Sequence, residues 1–465
     1  MTAAAPAELL RRGDRPITVH VVGIGGAGMS AIATALRAMG HLVTGSDLKP
    51  SAVTDRLRRG GIDVTIGHAA ENVGSADLVT VSSAIPERNP EVVEARTRGI
   101  AVLSRAESLA AIASLRRCLA VAGTHGKTTT ASMLALLLVE AGMRPSFLIG
   151  GDVNEIGTNA VWDDGEWLVV EADESDGTFL SLVPDIAVVT NVEADHLDHY
   201  GSFEAVRAAF EAFVTSARVR RVVGGDDPVA AEIGRSSGAD VVGTAPDSTY
   251  RIVDVELARS SLAFGLDGPT GVSLGRLAVP VPGLHNAKNA AVAAVAALAV
   301  GVPFDAVARA LARFAGVARR FEFRGTLDGV TFVDDYAHLP SEVRAALAAA
   351  RDGGWPRVVA VFQPHRYSRT ADLWEEFGRS FADADEVVVT DVYGAGEAPV
   401  PGVSGRLVAD AVLHEYPDKP VHYVSGRADL RAVVGGLLRS GDLCCTLGAG
   451  DLTSLPDELM SDAEG

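Results

Sequence analysis

The stretch that most constrains the fold is "CLAVAGTHGKTTTASMLALLLVEAG", residues 118–142. A short apolar run stops at Gly123, a glycine turn carries Lys127, Thr128 and Thr129, and a long apolar segment follows. This order predicts a strand, a tight turn and a helix. A strand that is apolar throughout needs cover on both faces, which points to a parallel sheet between helices. In such a turn the first backbone N–H groups of the helix attract anions. Lys127 can reach β/γ-phosphate oxygens, and a Thr hydroxyl can bind Mg²⁺. The common phosphate loop reads G-x-x-x-x-G-K-[ST]; here Val121 stands at its first glycine. The chain has only four lysines, Lys49, Lys127, Lys288 and Lys419. A lysine at this point therefore suits a compact point charge rather than a general preference for that cation. The competing reading is a plain glycine turn with a solvated lysine.

The same layout occurs earlier. "ITVHVVGIGGAGMSAIA" gives G-x-G-x-x-G through Gly23, Gly25 and Gly28, after a strand at 17–22 and opening a helix at 28–39. Nineteen residues beyond Gly28, Asp47 ends a second strand, where an acid can hold a ribose. On the residues alone this fits NAD or any other nucleotide diphosphate. Strands near 42–45, 63–66 and 78–81 continue the first block. A second block runs from 118 through strands at 167–173 and 186–191, and a turn-rich stretch at 246–282 predicts a few antiparallel strands. Helices at 285–300 and 303–314 follow. A third block has strands near 330–334, 357–361, 386–390, 421–423 and 442–447. The 465 residues thus divide into three α/β domains, 1–113, 114–317 and 318–465.

In an open parallel sheet the carboxyl ends of the strands line the ligand crevice. Two such ends are acidic here. "EADESD" offers Glu171, Asp173, Glu174 and Asp176; "TNVEADHLDHY" offers Asn191, Glu193, Asp195, His196, Asp198 and His199. With the loop they predict a Mg-nucleotide site around Glu171 and His196. A hydrolytic metal site on His196 and His199 is the alternative, but it lacks a third ligand of its own.

The formal net charge of −19 argues against a general nucleic-acid or anionic-membrane surface. Cys118, Cys444 and Cys445 are odd in number and sit in apolar runs, so they predict reduced core thiols in a cytoplasmic protein. The first residues lack an apolar core with a cleavage site, so no signal peptide is expected. "AAVAAVAALAVGV" is too short for a membrane span and predicts a buried helix.

At this point the motifs resemble one family. "GTHGKTTT", "EADESDGTF", "TNVEADHLDHYGSF", "PGLHNAKNA", "DDYAHLP" and "FQPHRYSRT" are similar, in matching order, to those of the Mur ligases. "GIGGAGMS", "SSAIPERNPE", "YGAGEAPVPGVSG" and "GAGD" resemble the branch that adds L-alanine to UDP-N-acetylmuramate. The likeness spans about residues 17–452. That family has a shortened loop, which accounts for Val121. The resemblance implies a Rossmann-like UDP-binding domain, a central ATP-binding domain and a C-terminal Rossmann-like domain. It also implies ATP-dependent amide bond formation in peptidoglycan precursor synthesis, with Mg²⁺ or Mn²⁺, small-molecule substrates, domain closure, and a monomer or homodimer in the cytoplasm.

Carried over by position, the resemblance places Gly123, Thr124, His125, Gly126, Lys127, Thr128 and Thr129 around the ATP phosphates. Thr128, Glu171 and His196 fall at the metal. Asn286 and Asn289 fall on the adenine side, although both can simply cap the alanine-rich helix. Arg320 would stabilise the transferring phosphoryl group. Asp335 would hold ATP, although an acid there also suits the neighbourhood of a helix cap. Gly23, Gly25, Gly26 and Gly28 would cradle the UDP diphosphate, with Asp47, His68 and Ser83 on the uridine side. Tyr336, His338, His365, Arg366 and Arg369 would surround the muramoyl group and the amino acid. Lys127, Glu171, His196 and Arg320 form the implied catalytic set.

Three positions depart from the pattern or bear on it. Leu339 stands where a second His is common, and Ser108 where Met is usual. No lysine lies between Lys127 and Lys288, so the carbamylated lysine of related ligases is absent, as in the L-alanine branch; Glu211 lies near its place. A ligase that recycles a tripeptide, a non-catalytic nucleotide-binding regulator and an NAD enzyme are the other readings.

Overall fold

A computed structural model describes residues 6–11, 16–82, 84–154 and 156–461. Its strands form three sheets. The first has five parallel strands, Thr18–Val22, Leu42–Asp47, Asp63–Ile66, Leu78–Val81 and Ala101–Ser104, in the spatial order 3-2-1-4-5. This is doubly wound order, and its reversal falls between the first and fourth strands. The ligand crevice of such a sheet opens at their carboxyl ends, where Gly23 and Ser82 begin the loops. A Cβ on Gly23 would lie 3.1 Å from the Ser82 Cβ.

The second sheet has ten strands. At its centre Arg117–Ala122 lies parallel to Trp167–Glu171 on one side and Ile186–Val189 on the other. Three loops therefore leave one edge of the sheet side by side: the one at Gly123, the one after Glu171 and the one after Val189. Helix Lys127–Glu140 follows the first loop and is buried from Thr128 to Leu138. The turn-rich stretch forms Tyr250–Ala258, Ser261–Asp267 and Ser273–Val279. The third sheet has six strands, with Glu322–Leu327 antiparallel to Val330–Asp335 and the other pairings parallel.

By compactness the chain divides into two units. One comprises 1–253, 265–277 and 288–313, and the other 254–264, 278–287 and 314–465. The first sheet and the strands of the second from Arg117 to Gly243 thus share a unit. The sequence reading missed edge strands, including Ala101–Ser104, Thr158–Val161 and Glu322–Leu327. These strands are half exposed and mixed in polarity, so neither alternation nor a long apolar run marks them. The three cysteines are free and buried, and burial pushes the Cys118 and Cys444 thiols up to about 12. No helix among the described residues is long and apolar enough to cross a membrane.

A buried carboxylate ties the first sheet together. Glu91 lies near the start of helix Pro90–Thr97 and is fully buried. Ser46 donates to it at 2.6 Å and Asn72 at 2.5 Å. His68 Nδ1 lies 3.2 Å from it, and His20 Nε2 3.7 Å. Burial disfavours its charge, but the nearby His20 and the bonds from Ser46 and Asn72 outweigh it and hold the carboxyl at about 2. A depressed carboxyl adds stability above its unfolded pKa, and that stability is lost as pH falls towards the folded value. From pH 6 to pH 3 this term falls by about 2 kcal/mol. Urea unfolding of wild type and Glu91→Gln should therefore show the wild-type advantage shrinking by that amount.

Candidate functional site

The loop that opens helix Lys127–Glu140 is shaped by two glycines. Gly123 has φ +136°, and a Cβ there would sit 1.9 Å from Thr190 Oγ1. Gly126 has φ +78° and caps the helix; a Cβ there would sit 2.4 Å from Asn289 Oδ1. Neither position has room for a side chain, and both backbone conformations are ones that side chains rarely adopt. The acidic-looking segment after Val189 braces the loop from the other side. Asn191 accepts from the His125 N–H at 2.8 Å and returns its own amide to His125 O at 3.0 Å. The Glu193 N–H donates to Thr124 Oγ1 at 2.9 Å, and the Glu193 carboxylate lies 3.2 Å from His125 Nε2.

Of the acids offered at this edge, Glu171 meets the loop threonine. The Thr128 hydroxyl donates to Glu171 Oε1 at 3.0 Å, and the Gly150 N–H donates to Oε2 at 2.7 Å. A hydroxyl and a carboxylate are hard oxygen donors, the type that suits Mg²⁺ completed by water and phosphate oxygens. His196 has φ +55°, and its ring lies 3.2 Å from Asp195 Oδ2. Among the described residues no group of three His, Cys, Asp or Glu side chains is gathered around a metal-sized space. His199 packs edge-on against Tyr200 rather than joining His196 in a metal pair. The side chain of Asp198 lies outside the described residues.

The remaining acids of "EADESD" hold cations. Lys127 Nζ is 2.7 Å from Glu174 Oε1 and also donates to Gly123 O and Thr124 O. Arg105 Nη2 reaches both Asp173, at 2.9 Å, and Asp176, at 2.8 Å. Burial acts against the charge on Asp173, but Arg105 and Lys127 outweigh it and hold the carboxyl at about 2. Arg105 opens the helix that follows the first sheet, and a Cβ on Gly28 would lie 3.2 Å from its Nη1. The guanidinium therefore bonds the acidic strip while lying over the first turn of the helix that follows the first glycine loop. Sequence reasoning passed over Arg105, because nothing local marks it beyond its place after the capping residue Ser104.

In the first glycine loop the Gly25 N–H donates to Asp47 Oδ2 at 2.8 Å. A Cβ on Gly25 would lie 2.8 Å from that same oxygen. Gly23 has φ +77° and Gly26 caps the following helix. Asp47 thus fixes the loop through one oxygen, and His68 is held on Glu91. Ser83 lies outside the described residues. Asn289 packs on Gly126, whereas Asn286 donates to Pro282 O at 2.7 Å, four residues back. Glu211 is exposed on helix Phe203–Ser216. Thr129 is buried in the first turn of the loop helix.

The third sheet gathers a separate cluster. Both oxygens of Asp335 take backbone N–H groups, from Phe321 at 2.7 Å and Ala337 at 2.8 Å. Burial still pushes its carboxyl up to about 6, against the pull of Arg320. Arg320 lies over the Tyr336 ring, 5.2 Å from its centroid, and 3.8 Å from Glu342. Glu342 also accepts the His338 N–H at 2.9 Å. The rings of His338 and His365 lie 5.7 Å apart, and His365 stacks on Tyr393. Arg369 Nη1 is 3.2 Å from His365 Nδ1. Arg366 has φ +69° and caps the helix that carries Arg369. Burial, then His338, Arg369 and Arg366, push His365 down to about 4, and burial lowers His338 as well. Both environments therefore disfavour the protonated imidazole. Leu339 is buried, so the departure from the common second His lies in the core. Glu342 and Tyr393 are the residues sequence reasoning left without a role. Pro340 with Glu342 in the first turn is a helix-start signal that could have pointed to it.

Comparison with known proteins finds one family from residue 18 to residue 450. Residues 18–117 match the model described as "Mur ligase family, catalytic domain", 121–297 the Mur ligase middle domain, and 319–450 "Mur ligase, glutamate ligase domain". A UDP-N-acetylmuramate–L-alanine ligase of Bradyrhizobium sp. is 46% identical over 95% of this chain and 98% of its own. One from Geobacter sp. is 43% identical over 95% and 96%. The crystal structure of UDP-N-acetylmuramate–alanine ligase from Thermotoga maritima superposes with a TM-score of 0.82 at 29% identity, covering 96% of this chain and 99% of that one. With three consecutive domain models matched and near-complete coverage of these relatives, the chain belongs to the Mur ligase family.

Proposed function

We propose that this chain joins the lactyl carboxylate of UDP-N-acetylmuramate to the amine of L-alanine, at the expense of ATP, in peptidoglycan precursor synthesis. The observation that carries the reading is the loop itself. Lys127 and the Thr128–Glu171 pair lie together at the edge of a parallel sheet, in a chain whose relatives of that name align nearly end to end.

A carboxylate is a poor acceptor for an amine. Chemistry therefore requires one of its oxygens to attack the γ-phosphorus, with the bond to the ADP oxygen breaking. The amine nitrogen then attacks the carbonyl carbon of the acyl phosphate, the bond to phosphate breaks and the amine gives up a proton. The first step depends on in-line positioning and charge neutralisation. We assign the ATP phosphates to Gly123–Thr129 and an Mg²⁺ (or Mn²⁺) to Thr128 and Glu171, with His196 as the further ligand. The metal, when bound, neutralises phosphate charge. Lys127 carries the β/γ-phosphate contact, and Arg320 and Asp335 are the third-domain residues for the nucleotide. Asn286 and Asn289 are kept for the adenine side.

The glycines at 23, 25, 26 and 28, with Asp47, His68 and Ser83, are assigned to the UDP portion. Tyr336, His338, His365, Arg366 and Arg369 are assigned to the muramoyl group and L-alanine. The arginines there suit the carboxylate of an amino acid. The three-domain division at 113 and 317 and a cytoplasmic location belong to the same reading.

Phosphate release from ATP should require both UDP-N-acetylmuramate and L-alanine. Turnover only with L-Ala-γ-D-Glu-diaminopimelate would instead identify a tripeptide-recycling ligase, and ATP binding without amino-acid-stimulated release would identify a regulator. Lys127→Ala should lower kcat by about 10³-fold or more, as loss of a principal phosphate contact does, with an unchanged circular dichroism spectrum. Retained turnover would remove the loop from the mechanism.

A further inference from the structure

An ammonium group has three N–H donors, and Lys127 spends all three on protein. It donates to Gly123 O at 2.6 Å, Thr124 O at 3.1 Å and Glu174 Oε1 at 2.7 Å. A lysine held this way is folded back onto its own loop. To meet a phosphate it has to release at least one of these acceptors. The two carbonyls belong to the loop that any phosphate occupies. Glu174 is the one acceptor outside it, and the one that carries charge.

Glu174 is only 3% exposed. Its Oε2 is buried with no hydrogen-bond partner among the described residues. The groups around it are Lys127 from the loop helix, Asp173 beside it on the strip, and Tyr200, whose hydroxyl donates to the Glu174 backbone oxygen at 2.6 Å. Asp173 and Asp176 already share Arg105, so that cation serves other carboxylates. Lys127 is thus the cation paired with this buried acid. Burial, with Asp173 adding to it, lifts the Glu174 carboxyl to about 7 even against Lys127.

We propose that Glu174 is the resting counter-ion of the phosphate-loop lysine, a positioning residue that incoming nucleotide phosphate displaces and that takes a proton from solvent as the lysine leaves it. A buried carboxylate stripped of its cation is costly, and triphosphate arriving nearby makes the charge costlier still. Forming an O–H bond on Glu174, with water or buffer as the donor, removes that cost. The resting pair also lowers apparent nucleotide affinity, because ligand has to compete with an occupied lysine. The inference rests on the loop being an ATP site.

The test is calorimetric titration of the full chain with MgATP at pH 8, in two buffers of different ionisation enthalpy. Wild type should bind with net proton uptake. Glu174→Gln, which keeps the shape and loses the charge, should bind MgATP about 5- to 20-fold more tightly and lose the uptake. Glu174→Asp should retain it. A purely structural role for Glu174 predicts weaker binding in both variants and no change in proton count. Binding to wild type without proton uptake overturns the inference alone, and needs no variant to fold. So does a Glu174→Gln protein with wild-type melting that binds no more tightly. Absence of MgATP binding to wild type overturns the nucleotide reading and this inference with it.

Discussion

A parallel sheet sends the carboxyl ends of its strands to one edge, and in the second sheet that edge is where charge accumulates. Lys127, Glu171, Asp173, Glu174, Asp176 and Glu193 all lie at or just beyond the carboxyl ends of neighbouring strands. Such a concentration is tolerable only when each charge has a partner, since an unpaired buried charge is far more costly than a paired one. The structure distributes them in pairs. Thr128 takes Glu171, Lys127 takes Glu174, Arg105 takes Asp173 and Asp176, and His125 faces Glu193. The loop that a triphosphate requires is therefore built from interactions that already satisfy the protein without one.

Much of this was legible in the residues. The strand–turn–helix units at 18–38 and 117–140 follow from short apolar runs meeting glycine, and the strands ending at Glu171 and Val189 and the parallel core of the third sheet from short apolar runs bounded by polar residues. Those signals are local, so one chain suffices to read them. The edge strands were not legible, because half-exposed strands have neither a clean alternation nor a long apolar run. The pairing of the acids was not legible either. "EADESD" presents four carboxylates with nothing in their order to say which meets a threonine, which a lysine and which an arginine 68 residues earlier. Partner choice at that separation is decided by strand order, which the sequence does not spell out.

The third sheet repeats the lesson with different chemistry. Arg320, Tyr336, His338 and His365 were singled out by motif, and they do cluster. What organises them is Glu342, a residue whose local pattern speaks only of a helix start. The same carboxylate closes the cap and orients the cluster. Sequence reading sees the first job and not the second. Leu339 shows the converse: conspicuous as a departure in a motif, it lies in the apolar core.

The bond from Arg105 to Asp173 and Asp176 has a consequence for how this chain can be cut. A boundary near residue 113 looks natural from the sequence, where one sheet's last helix ends and the next sheet begins. The cation that neutralises the second sheet's acidic strip, however, is encoded on the near side of that line. A fragment starting at 114 would inherit two carboxylates a few ångströms apart with their shared guanidinium left behind. Whatever the sequence suggests at that line, the electrostatics do not divide there.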